Sequence, residues 1–179
     1  MVRRLFLVCV CVLMAMAEGP AVAEAFDAAS VFGAGWSESA RNVEAEQTTY
    51  ECPVTECGIP GLAVLMEMPV EGDEQRQFVD DPRRQLIGFK VGLEQTFGIK
   101  SCAFLSFKIA RSDDRRATIF ADGECVSGKI MALAVVFDRR AAVTYGAIVV
   151  SIDRGLAEAA REKYREWRYQ ELETSFYSQ

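Results

Sequence analysis

CAFLSFKIARSDDRRATIFADGEC, residues 102 to 125, is the stretch on which the fold turns. Its first half alternates: Ala103, Leu105, Phe107 and Ile109 point one way, Cys102, Ser106 and Lys108 the other, with only Phe104 mixed among them. Ser112-Asp113-Asp114-Arg115 is a polar turn, and Ala117 to Cys125, carrying Ile119 and Phe120, returns. With Asp113 and Asp114 at the tip, Cys102 and Cys125 stand directly opposite each other. Opposed residues of an antiparallel pair have α-carbons about 4.5 to 5.5 Å apart, within disulfide range. A slip of one residue would send the two side chains to opposite faces. Closing that loop is worth about 3 kcal/mol in the chain-entropy picture.

Downstream, Ser127-Gly128 turns the chain into a strand over Lys129 to Phe137, and Asp138-Arg139-Arg140 turns it into another over Ala142 to Ile152. The result is a four-strand antiparallel meander. Asp153 then opens a helix with Leu156, Ala160, Tyr164 and Trp167 on one face. Lys163 intrudes there and snorkels, while Glu158, Arg161, Glu162, Arg165 and Glu166 form the solvated side.

Upstream, Asp81 caps and Pro82 starts a helix of about four turns, with Leu86, Phe89, Leu93 and Phe97 at helical spacing and Gly98 placed to end it. Gly88 and Gly92 on its other side imply close approach of another segment. Leu62 to Val70 and Gln47 to Cys52 read as two earlier strands joined through a turn at Gly58 to Gly61. Residues 24 to 46, rich in Ala, Glu, Ser and Gly, read as a loosely ordered start anchored by Trp36. The expected organisation is residues 1–23 as a leader, 24–46 as that loose segment, and 47–179 as one α+β domain.

The expected order is β-β-α-β-β-β-β-α, an antiparallel sheet with two packed helices. At the level of element order, and with no residue motif behind it, this is similar to the PsbP/Mog1-type α/β/α sandwich. That likeness implies an accessory or binding role.

Arg3-Arg4, the apolar run Leu5 to Ala17 and the Ala21-Val22-Ala23 site have the three parts of a cleaved secretory signal. Thirteen apolar residues are too few for a span of about 20. A periplasmic or secreted protein is expected. Its mature part carries 18 basic and 25 acidic residues, a net charge of −7, which disfavours nucleic acid as a partner. No transmembrane segment is expected in it. Four cysteines remain, an even number, as befits an oxidising compartment. If Cys102 pairs with Cys125, then Cys52 and Cys57 close the short loop between them. Four intervening residues and Pro53 favour a staple over a redox pair.

Chemistry is bounded chiefly by the lack of any histidine in 179 residues. Ser-His-Asp and Cys-His catalysis and histidine-ligated metal sites are thereby excluded. No catalytic motif, cofactor motif or metal set stands out. Glu67, midway along an apolar strand, reads as solvent-facing. One recurring pattern does stand out: Asp81-Pro82-Arg83-Arg84, Asp114-Arg115-Arg116 and Asp138-Arg139-Arg140. In the expected topology a helix start and two hairpin tips share one end of the sheet. Arg83, Arg84, Arg115, Arg116, Arg139 and Arg140 then form a rim suited to an anionic ligand or acidic protein surface. The plainer reading is that Asp fills turns and Arg keeps tips soluble. The expected function is a non-enzymatic accessory protein binding another protein or an envelope component. The alternatives are a small hydrolase using carboxylates in a cleft, and a carrier of a small apolar ligand in a cavity lined by residues such as Phe89, Phe107 and Phe137.

Overall fold

The computed structural model describes residues 26–70, 73–96 and 102–177; the expected leader lies outside them. Its elements are α1 (Ala28–Phe32), β1 (Ser37–Asn42), β2 (Gln47–Cys52), α2 (Val54–Cys57), β3 (Gly61–Pro69), α3 (Glu74–Asp80), α4 (Pro82–Thr96), β4 (Cys102–Ser112), β5 (Arg116–Cys125), β6 (Ile130–Asp138), β7 (Val143–Ser151) and α5 (Arg154–Tyr177). The strands form one seven-stranded sheet in the order β1-β2-β3-β7-β6-β5-β4, and every neighbouring pair is antiparallel. The protein is therefore the expected α+β type, with the four-strand meander β4 to β7 intact.

Strand β6 shows how the two faces are built. All nine of its residues are buried, because helices cover both sides of it. Ile130, Ala132, Ala134 and Val136 face α5, whereas Met131, Leu133, Val135 and Phe137 face α3 and α4. The small alanines let α5 approach closely. The large residues meet Phe78, Val79, Leu86 and Phe89, and the Phe78 ring stacks on Phe137 with centroids 4.0 Å apart.

Three expectations change. Residues 24–46 are not a loose start: they supply α1 and edge strand β1, and Phe26, Phe32 and Trp36 pack into the α5-side core. Trp36 does act as an anchor, lying across Gly61, where a Cβ would come within 2.7 Å of the indole. The helices number more than two, because Glu74–Asp80 forms α3, which breaks at Asp81 before Pro82 opens α4. As expected, Asp81 caps, its carboxylate accepting from the Arg84 amide at 3.2 Å. Finally, a Cβ added at Gly88 would meet nothing within 4 Å, so no described segment packs against it; Gly92, Gly98 and the side chains of Leu93 and Phe97 lie outside the described set.

The cysteine hairpin reaches its pairing by an unexpected route. Cys102 and Cys125 are register partners, and Cys125 is disulfide-bonded. The tip, however, falls one residue later than expected, over Asp114-Arg115, with the Asp113 amide donating to the Arg116 carbonyl at 2.8 Å and Ser112 opposite Ala117. Two bulges in β4, at Phe104/Ser106 and Ile109/Arg111, each take up one residue and restore the alignment by Cys102. They also break the alternation: Phe104 and Phe107 both pack toward the α3/α4 side, and Leu105 is left 62% exposed. Cys52 and Cys57 are bonded to each other, α-carbons 5.9 Å apart. Gly35, at φ +92°, lies against this bridge, where a Cβ would come within 3.0 Å of both sulfurs.

Candidate functional site

The three Asp-Arg turns meet at one end of the sheet. Hairpin β4–β5 and hairpin β6–β7 lie side by side there, because β5 and β6 are neighbours and Arg116 is opposite Asp138. The Arg139 amide donates to the Arg115 carbonyl at 2.9 Å, joining the two tips. The Arg139 guanidinium pairs with Asp80 at the end of α3, bringing the α3–α4 junction to the same place.

Each turn is built by its aspartate. Asp113 Oδ1 accepts from the amides of Arg115 and Arg116, both at 2.8 Å, so Asp113 and not Asp114 organises the first tip. Burial pushes its carboxyl up, but those two amides, with Arg116 and Arg111 nearby, bring it below the usual carboxylate value. Asp138, fully buried, accepts from the Arg140 amide at 2.9 Å and is gripped by the Arg140 guanidinium through Nε at 3.2 Å and Nη2 at 3.1 Å. The plainer reading of the acids as turn formers thus describes their geometry well.

The six arginines do not share one role. Arg116 is not on the rim: it is buried against α5, paired with Glu173 at 2.5 Å, donating to the Tyr169 carbonyl at 3.3 Å and lying over the Tyr169 ring. Arg139 and Arg140 are exposed but held by Asp80 and Asp138. Arg83, Arg84 and Arg115 are exposed and form no ion pair among the described residues. The rim is therefore three available guanidiniums beside two that are tethered.

Two arginines of α5 lie inside although helical periodicity alone does not mark them as buried. Arg161, read as a solvated residue, is 2% exposed, pairs with Asp122 and lies 4.0 Å from the Phe120 ring centroid. Arg168, 8% exposed, pairs with Glu171 and Glu67 and stacks on Tyr145 and Trp167. The available signal was in β5, where Arg116, Thr118, Phe120 and Asp122 alternate with Ala117, Ile119, Ala121 and Gly123. A polar set on one face of a strand covered on both faces requires polar partners in the covering helix. Lys163 does reach outward, its ammonium donating to the Phe32 carbonyl at 3.1 Å and so finishing α1.

Glu67 is exposed, as read, and joins Arg168 at 3.6 Å. Burial lifts the Glu171 carboxyl above its ordinary value, Arg168 pulling it back and Glu67 adding to the rise. These two acids are bridged by one guanidinium instead of facing each other across a gap. No group of three or more metal-ligating side chains occurs among the described residues, and no helix among them is long and apolar enough to cross a membrane. Of the residues named for an apolar cavity, Phe89 and Phe137 are packed edge to face, 6.1 Å apart, with Phe78 against both, while Phe107 lies against Phe104 at 5.4 Å.

No protein-family model matches the chain, and no curated protein sequence matches it. Among solved structures it is similar to the Ran-binding protein Mog1p of Saccharomyces cerevisiae, determined at 1.9 Å resolution. The two are 10% identical, with 74% of this chain and 82% of that chain covered and a TM-score of 0.44.

Proposed function

We propose that this chain is an exported, disulfide-stapled, non-enzymatic accessory protein that holds an acidic surface of a partner protein against its arginine turns. The observation that carries the reading is the convergence of three turns that leaves Arg83, Arg84 and Arg115 exposed and without ion pairs among the described residues. Planar guanidinium forks match carboxylates two bonds at a time. Turn aspartates engaged with backbone amides and tethered arginines hold the neighbouring backbone in place, which lowers the ordering cost of capture. The chain's net charge of −6 argues against an extended polyanion as the partner and for a compact acidic patch. Paired cysteines, the leader-like start and the lack of histidine support export and a role without the commonest catalytic groups.

The test uses a fluorescein-labelled peptide of alternating Glu and Gly, with its Gln counterpart, followed by anisotropy. The Glu peptide is expected to bind, the Gln peptide not. Substituting Arg83, Arg84 and Arg115 together by Ala should weaken binding about tenfold, since exposed pairs contribute a few tenths to 1 kcal/mol each. Equal affinity of the triple variant and the parent overturns the reading. Affinity capture from the envelope fraction with both forms then identifies the partner.

A further inference from the structure

A second feature lies on the α5 face over strands β2 and β3, on the other side of β7 from β5 and β6. A crevice of about 370 Å³ opens between strands β2 and β3, the β1–β2 turn and α5. Its volume falls in the lower range of small-molecule sites. One wall is aromatic: Phe26 meets Tyr50 edge-on at 5.1 Å and Trp167 at 4.6 Å, with the Tyr164 ring at 6.3 Å.

Two donors there lack acceptors. Tyr164 is fully buried, and the charged group beside its hydroxyl is the Arg168 guanidinium, which can only donate, so the hydroxyl proton is left without an acceptor. Arg168, also more than nine-tenths buried, leaves its Nε–H without an acceptor. Both residues line the crevice. Buried donors are nearly always satisfied in folded proteins, and leaving one unmade is costly. Both atoms can donate, so what is missing is an acceptor.

The charges say what kind of acceptor. Arg168 already faces Glu171 and Glu67, and Arg41 at the crevice wall is bonded twice to Glu38, at 3.1 and 2.7 Å. Glu46 lines the same space. No unbalanced positive charge is left to hold an anion, and the acids there would repel one.

We propose that this crevice binds a small, uncharged ring compound bearing a carbonyl oxygen, its rings seated against Phe26 and Tyr50 and its oxygen accepting from the Tyr164 hydroxyl and Arg168 Nε. The site is independent of the arginine turns, and the protein thereby has a small-molecule ligand in addition to its partner surface.

Equilibrium dialysis of the purified protein against three probes of one size tests this: 2-acetylnaphthalene, 2-ethylnaphthalene and 2-naphthoate. The acetyl compound is expected to bind saturably at one site per chain, with the ethyl compound and the naphthoate each about tenfold weaker, the worth of one good hydrogen bond or of one misplaced charge. Tyr164→Phe should narrow the gap between the acetyl and ethyl affinities, Arg168 Nε still donating, while the ethyl affinity stays as it was. Equal binding of the acetyl and ethyl probes by the parent protein, preference for the naphthoate, or no saturable binding of any probe overturns the proposal. Because the three-probe ranking is measured on the unaltered chain, it decides the matter even if the variant does not fold.

Discussion

The two faces of the sheet are covered by opposite means. On the α3/α4 side, Met131, Leu133, Val135, Phe137 and Ile148 meet Phe78, Val79 and Phe89, so cohesion there is apolar packing and ring stacking. On the α5 side, a row of polar contacts runs through the core. Arg116 meets Glu173, Thr118 meets the Tyr169 hydroxyl at 2.5 Å, and Asp122 meets Arg161. Partners two residues apart on β5 fall about four apart on α5. Two strand residues advance about 6.6 Å and four helical residues about 6 Å, so the two repeats stay in step. Packing alone tolerates sliding; a matched polar row admits one helix position. The comparison teaches that the apolar face supplies cohesion and the polar face supplies placement, including the placement of Tyr164 and Arg168 at the crevice.

The largest effect that sharpens this contrast is a cavity on the apolar side. Phe137→Ala, removing a ring 3% exposed, should lower stability by about 4 kcal/mol in urea unfolding, with no second substitution on α5 able to restore it. On the polar side, Asp122→Ala should cost about 3 kcal/mol by leaving Arg161 buried and unpaired, and adding Arg161→Met should recover most of the loss. Failure of that rescue would mean the pair contributes more than mutual neutralisation.

The same aspartate makes the polar face sensitive to acid. Burial pushes the Asp122 carboxyl up, but the Ser106 hydroxyl, donating at 2.7 Å, and the Arg161 guanidinium outweigh it and hold it below the ordinary value. A carboxyl depressed by folding stabilises above its unfolded pKa, about 4, and that stabilisation is lost as pH falls through the folded value. Acid titrations of unfolding should therefore show a shallower acid limb in Asp122→Ala than in the parent.

The smallest effect has the opposite sign. Gly88→Ala, on the outer side of α4 with open space around it, should raise stability by up to about 1 kcal/mol. A loss instead would mean that some segment does pack there.

Strands β2 to β7 and helices α4 and α5 were legible because alternation, helical spacing and caps are local properties of the chain. Asp81-Pro82 opens α4 and Asp153 caps α5, its carboxylate accepting from the Leu156 amide at 2.7 Å. Strand β1 was not legible, because all six of its residues are exposed and it carries no apolar alternation. Helix α3 lacks a side-chain cap, and only Phe78 and Val79 mark its apolar side. The arginine turns were legible as a pattern and as neighbours. Which arginines stay available was not, since Arg116 differs from Arg115 only by facing the sheet interior. The hairpin is the instructive case: counting from an assumed tip paired Cys102 with Cys125, yet the real tip lies one residue later and two bulges make up the difference. Bulges on β4 leave no mark in composition, because they arise from how an edge strand accommodates twist and its neighbour.

Taken by itself, the order of residues determined the α+β class, the meander, the even complement of cysteines beyond residue 23, and the Asp-Arg turns, because periodicity, turn chemistry and residue type act over a few neighbours at a time. Only the tertiary structure decided that Arg161 and Arg168 lie inside, that Phe26 and Trp36 join the core, and that Tyr164 is buried beside a crevice with no acceptor for its hydroxyl proton. Burial and ion pairing depend on which distant segment arrives opposite a side chain, and that is a property of the assembled layers.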